Sequence, residues 1–97
     1  MMAVYFIVQL NINDRSKYSE YRAGFMEIFP SSTGRVLAAD DAPVVLEGEW
    51  DYTRTILTEF PSKAEAMEFY NSDAYQQLCE IRWASCESNF VLVDGLD

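Results

Sequence analysis

The sequence predicts an α+β domain whose elements follow the order β-α-β-β-α-β. Three observations lead there. Apolar residues alternate with period two at the start of the chain, and further strand-like runs lie at 53–60, rich in β-branched residues, and at 89–93. Between these runs lie stretches with the three-and-four spacing of an amphipathic helix, each entered through a capping residue. The chain has 97 residues, the length of one domain (residues 1–97), and its 49% apolar content is too rich for disorder.

Residues 3–12 read as the first strand. Val4, Phe6, Val8, Leu10 and Ile12 form one face; Tyr5, Ile7, Gln9 and Asn11 form the other, which is only half polar. Asp14 then suits the N-cap of a helix whose apolar stripe is Tyr18, Tyr21, Phe25, Ile28 and Phe29. Pro30 and the cluster Ser31-Ser32-Thr33-Gly34 mark its exit. A second strand is expected over 35–39. Residues 40–43 interrupt it as a bulge or turn, because Pro43 cannot donate to a ladder, and residues 44–47 resume it. Residues 48–52 read as a loop, and 53–60, with the β-branched Thr53, Thr55, Ile56 and Thr58, as the third strand.

Ser62 and Glu65 have the S-x-x-E spacing of a capping box, and Ala66, Met67, Phe69 and Tyr70 follow. Asn71-Ser72-Asp73 breaks this helix and recaps another, which holds Tyr75, Leu78, Ile81 and Arg82. Two β-α-β halves of this kind build the ferredoxin-like arrangement, a four-stranded antiparallel sheet with helices on one face. The opposite face then carries Tyr5, Ile7 and Gln9 beside Thr55, Leu57 and Glu59. An apolar patch of that kind is normally covered, and a second copy of the sheet is the simplest cover, so a homodimer is expected.

Charge narrows the partners. Seven basic residues stand against 16 acidic ones, a net of −9. Such a surface repels phosphate backbones and anionic lipid, so neither nucleic acid nor a membrane is expected. No apolar run nears the roughly 20 residues of a bilayer span, and the apolar start lacks the basic flank of a signal peptide. Cys79 and Cys86 are seven residues apart; on a helix the rise alone would separate them by about 10 Å, beyond disulfide reach. Free thiols in a reducing cytoplasm are the expectation.

The chemistry is bounded by what is missing. The chain has no histidine, which removes Ser-His-Asp and Cys-His nucleophiles, the usual haem ligand and most zinc sites. Its four glycines match no phosphate-binding fingerprint. No metal and no cofactor are expected. Glu59 is the carboxylate singled out for proton transfer, since burial on the inner sheet face would raise its pKa; the plainer reading is an ion pair. Arg35 and Arg54 could clamp an organic carboxylate, or else pair with Glu47, Glu49 or Glu59. Trp50 could edge a pocket or act as an apolar lid. Tyr18 and Tyr21 could reach a cleft with their phenols, though the helix stripe assigns them to the core. The sharpest expectation places Arg35, Arg54 and Glu59 in one polar cluster with Trp50 at its edge.

Several strings occur in a telling order: Phe6-Ile7-Val8-Gln9, Gly34-Arg35-Val36-Leu37, Leu46-Glu47-Gly48-Glu49-Trp50, Glu59-Phe60-Pro61-Ser62, Tyr70-Asn71-Ser72 with Tyr75-Gln76, and Leu92-Val93-Asp94-Gly95. On these, nearly the whole chain resembles the domain-of-unknown-function family numbered thirteen-thirty, within the dimeric α/β-barrel superfamily. It departs from the family pattern at Thr33, and at Asp40 and Asp41, where glycines are common. The resemblance implies the fold and the dimer and supplies no reaction. Three functions stay open. One is a binding protein holding a small anionic or aromatic molecule between sheet and helices. Another is a cofactor-free isomerase or oxygenase acting on an activated aromatic or keto compound, by analogy of fold. The third is a purely structural or interaction dimer.

Overall fold

The computed structural model describes residues 3–96. Alternating residues make Val4–Ile12 the strand β1. Asp14 caps the helix α1, Arg15–Ile28, by accepting the Lys17 N–H at 3.0 Å. Phe29–Ser31 forms a 3-10 turn with Pro30 at its start. Strands β2, Arg35–Asp40, and β3, Arg54–Phe60, follow. Ser62 opens α2, Lys63–Asn71, accepting the Glu65 N–H at 3.2 Å while its hydroxyl donates to the Glu65 carboxylate at 2.8 Å. Ser72 closes α2 by donating to the Phe69 carbonyl and caps α3, Asp73–Ser85, by accepting the Tyr75 N–H. Strand β4 is Cys86–Asp94. The expected ferredoxin-like order is therefore present, with its second crossover in two helical pieces.

The sheet is antiparallel throughout, in the order β2-β3-β1-β4. Val4, Phe6, Val8 and Leu10 of β1 are buried beneath the helices with Phe60, Tyr18, Tyr21, Ala66, Tyr75 and Cys79. Each large apolar side chain removed from water in this way contributes about 1.5–3 kcal/mol. The other face carries Tyr5, Ile7 and Gln9, paired with Glu59, Leu57 and Thr55 on β3 and with Val93, Val91 and Asn89 on β4.

Two strands depart from expectation. The run at 44–47 does not resume β2. Asp40 already pairs with Thr55, one residue from the start of β3, so no ladder remains to receive it. The Asp40 carboxylate instead accepts the Ala42 N–H at 2.8 Å, turning the chain, and Val44 and Leu46 stand exposed. The irregularity in β2 lies earlier, at Leu37, where the register shifts between Val36 and Ala38. Strand β4 begins at Cys86, three residues before the expected Asn89, because Cys86 pairs with Ile12 at the far end of β1. Cys79 and Cys86 are free and buried.

Candidate functional site

A cleft of about 530 Å³ opens between the helix-covered face of the sheet and α1, with walls completed by β2, the 3-10 turn and α3. Its size is that of a site for a small organic molecule. The walls are mostly aromatic and aliphatic. Phe6, Val8 and Leu10 come from β1, Ile56 from β3, and Phe25 and Phe29, stacked with centroids 4.6 Å apart, from the end of α1 and the turn after it. The helical spacing of 18, 21 and 25 turns Tyr18, Tyr21 and Phe25 toward the same space.

The polar lining is one-sided. Arg22, Arg35, Arg54 and Arg82 line the cleft and no acidic residue does, in a chain where acids outnumber bases 16 to 7. Arg82 is the deepest of the four, 2% exposed. Its guanidinium donates to Ser88 Oγ at 2.6 Å and reaches Cys79 Sγ at 3.5 Å. It lies 5.1 Å from the centre of the Phe90 ring and 5.8 Å from that of Tyr21. Among the described residues no carboxylate pairs with it, and its Nε has no hydrogen-bond partner. An arginine keeps its charge under such burial, so aromatic faces and neutral dipoles compensate a full cation.

Beside it, the hydroxyls of Tyr21 and Tyr75 hydrogen-bond at 2.8 Å. Burial pushes the Tyr21 phenol up to about 12, and burial followed by the Tyr21 neighbour pushes Tyr75 upward as well. Both are neutral donors at physiological pH. Burial also raises the Tyr18 phenol, and the Arg54 guanidinium partly opposes that rise.

The single polar cluster expected of Arg35, Arg54 and Glu59 does not form. Arg35 Nε pairs with Glu59 Oε1 at 2.9 Å on the helix-free face, where the two residues oppose each other in the β2–β3 register. Arg54 pairs with Leu10 in the ladder, shares the helix-covered face, and bonds Asp41 Oδ1 at 2.5 Å. Side chains alternate along a strand, so residues 54 and 59 must point to opposite faces. Glu59 therefore lies outside the cleft, with Arg35 reaching only its rim. Trp50 also sits away from it: its indole N–H donates to Thr55 Oγ1 at 3.1 Å, and its ring meets Tyr52 edge-on at 5.5 Å. Tyr18 and Arg54 do line the cleft.

Arg82 and Tyr75 were not expected as site residues, whereas Tyr21 reaches the cleft as the alternative for its phenol had it. A signal existed: positions 75, 79, 82 and 86 keep helical spacing, which sets Arg82 on the stripe of Tyr75 and Cys79 that α3 buries. No group of three or more histidine, cysteine, aspartate or glutamate side chains capable of holding a metal occurs among the described residues. No helix there is long and apolar enough to cross a membrane.

The model of the family described as Domain of unknown function (DUF1330) matches residues 3–96. The chain belongs to this family. No curated protein matches the chain. Among solved structures, this DUF1330 chain is similar to a protein of unknown function from Rhodopseudomonas palustris, with 16% identity, a TM-score of 0.83, and coverage of 99% of this chain and 84% of that one. It is similar to a dimeric ferredoxin-like protein of unknown function from Jannaschia sp. CCS1, with 21% identity, a TM-score of 0.70, and coverage of 95% and 96%. SnoaB, a cofactor-independent oxygenase from Streptomyces nogalater, matches at 12% identity and a TM-score of 0.65, with coverage of 95% and 91%. At these identities the likeness is one of fold.

Proposed function

We propose that this DUF1330 protein is a homodimeric binding protein for a small organic anion with an apolar body, held in the cleft between sheet and helices. One observation carries the reading: a buried, carboxylate-free Arg82 in an apolar cleft that Arg54 and Arg22 also line and no acid does. An anion entering there would gain the ion pair that Arg82 lacks, in a medium where it is strong. Tyr18 and Arg54 belong to the same proposed site.

The dimer rests on the helix-free face. Tyr5, Ile7, Leu57, Val91 and Val93 share it, with Val91 52% exposed, and the similar Jannaschia protein is described as dimeric. The Arg35–Glu59 pair and Trp50 are assigned to this face rather than to the ligand. Two buried, unpaired thiols suit a reducing, cytoplasmic setting.

A second reading is a cofactor-free oxygenase or isomerase. It is supported by the fold shared with SnoaB and by phenol and guanidinium donors suited to holding an enolate. It also needs a group to take the substrate proton, and the cleft lining holds no carboxylate, lysine or histidine. Binding therefore stands first. A thermal-shift screen of aromatic acids, aliphatic acids and neutral aromatics tests it. Stabilisation by ring-bearing acids is expected, about 2.7 kcal/mol at a hundredfold excess over Kd. A flat response across all three classes would instead favour an interaction dimer.

A further inference from the structure

Two buried side-chain nitrogens in the described chain have no hydrogen-bond partner, and they are the same atom on two arginines: Nε of Arg54 and Nε of Arg82. Both residues line the cleft, Arg54 from β3 and Arg82 from α3. The register brings them to one row across the sheet. Leu10 is paired with Arg54 on one side and with Ser88 on the other. Ser88 Oγ accepts from Arg82. With neighbouring strands about 4.8 Å apart, the Cα atoms of Arg54 and Ser88 stand about 10 Å apart. Tyr18 lies beside Arg54 and Tyr21 beside Arg82, and the two phenol rings are 5.5 Å apart.

We infer that this row is the head-group end of the site and receives a carboxylate, so that the ligand is a ring-bearing hydrophobic carboxylic acid. The inference rests on the binding reading above and narrows it. Two guanidiniums and neutral phenols at one end provide planar N–H and O–H donors that match carboxylate oxygens. The charge count selects a monoanion. Arg54 is already shared with Asp41, which leaves Arg82 as the buried cation without a carboxylate; a phosphate dianion would exceed it. The rest of the cleft, with Phe6, Phe25, Phe29, Val36 and Ile56, is apolar and takes the ring. Asp41 competes with the ligand for Arg54 from the exposed side, its own side chain 67% accessible.

The test is calorimetric titration of 2-naphthoate, 2-naphthamide and 2-naphthyl phosphate, which share one ring system. The acid is expected to bind at least about tenfold more tightly than either relative. Arg82→Met and Arg54→Met should abolish that preference, bringing the acid's affinity down to that of the amide. Asp41→Asn should raise affinity for the acid alone, which a purely structural ion pair would not do. If Arg82→Met does not fold, the Arg54 and Asp41 variants decide the matter. Equal binding of acid and amide, or tighter binding of the phosphate, overturns the carboxylate assignment and leaves the cleft as a binding site. Failure of all three to bind overturns the binding reading beneath it.

Discussion

The hydroxyls of Tyr21 and Tyr75 meet 2.8 Å apart and tie α1 to α3 inside the cleft. One phenol donates to the other, so one O–H hydrogen stays available for a third acceptor. The Arg82 guanidinium faces the Tyr21 ring from 5.8 Å. This corner is structural and receptive at once, and its titration should be measurable.

Tyr21 titrates at about 12, raised by burial from an ordinary value of 10.0, and Tyr75 is raised as well. The native state thus holds these protons more tightly than the unfolded chain does. The resulting stability is complete below pH about 10 and is lost as pH climbs through about 12. Denaturant midpoints across this range should fall with pH, and Tyr21→Phe should flatten the fall. A midpoint independent of alkaline pH would mean that the phenols are open to solvent.

Gly34 precedes β2 between two rings. A Cβ there would lie 2.6 Å from Phe60 Cζ and 2.9 Å from Phe29 Cζ. Gly34→Ala should cost about 1–3 kcal/mol, read as a lowered denaturant midpoint.

Ser62 Oγ accepts the Glu65 N–H at 3.2 Å and donates to the Glu65 carboxylate at 2.8 Å. Ser62→Ala should cost about 1 kcal/mol in the same assay, and an unchanged midpoint would show that α2 does not depend on the cap.

Ile7 sits between Leu57 and Val91 on the helix-free face. Ile7→Glu would place two charges in the proposed dimer contact. Sedimentation at micromolar concentration should give a dimer mass for the wild type and a monomer mass for this variant, with helical circular dichroism retained.

The fold was legible where local chemistry and tertiary structure agree. The alternation in β1 and the caps at Asp14, Ser62 and Ser72 specify their elements within a few residues. The misread segments are those that distant pairing decides. Cys86, Glu87 and Ser88 have weak strand propensity, yet β1 extends far enough to recruit them. Residues 44–47 have a strand's composition and no strand partner among the described residues. The site was half legible. Parity already separated Arg54 from Glu59, and grouping them by charge overrode it. Arg82 carried its signal in position: an arginine on a buried helical stripe is exceptional, because a desolvated cation demands compensation.

The central claim is that the cleft between sheet and helices is the ligand site. The most direct measurement is backbone amide chemical-shift mapping during titration with 2-naphthoate. Shifts should concentrate on the cleft, at Tyr18, Tyr21, Phe25, Ile56 and Arg82. Shifts confined to Tyr5, Ile7, Leu57 and Val91 would place the ligand on the opposite face of the sheet and contradict the account.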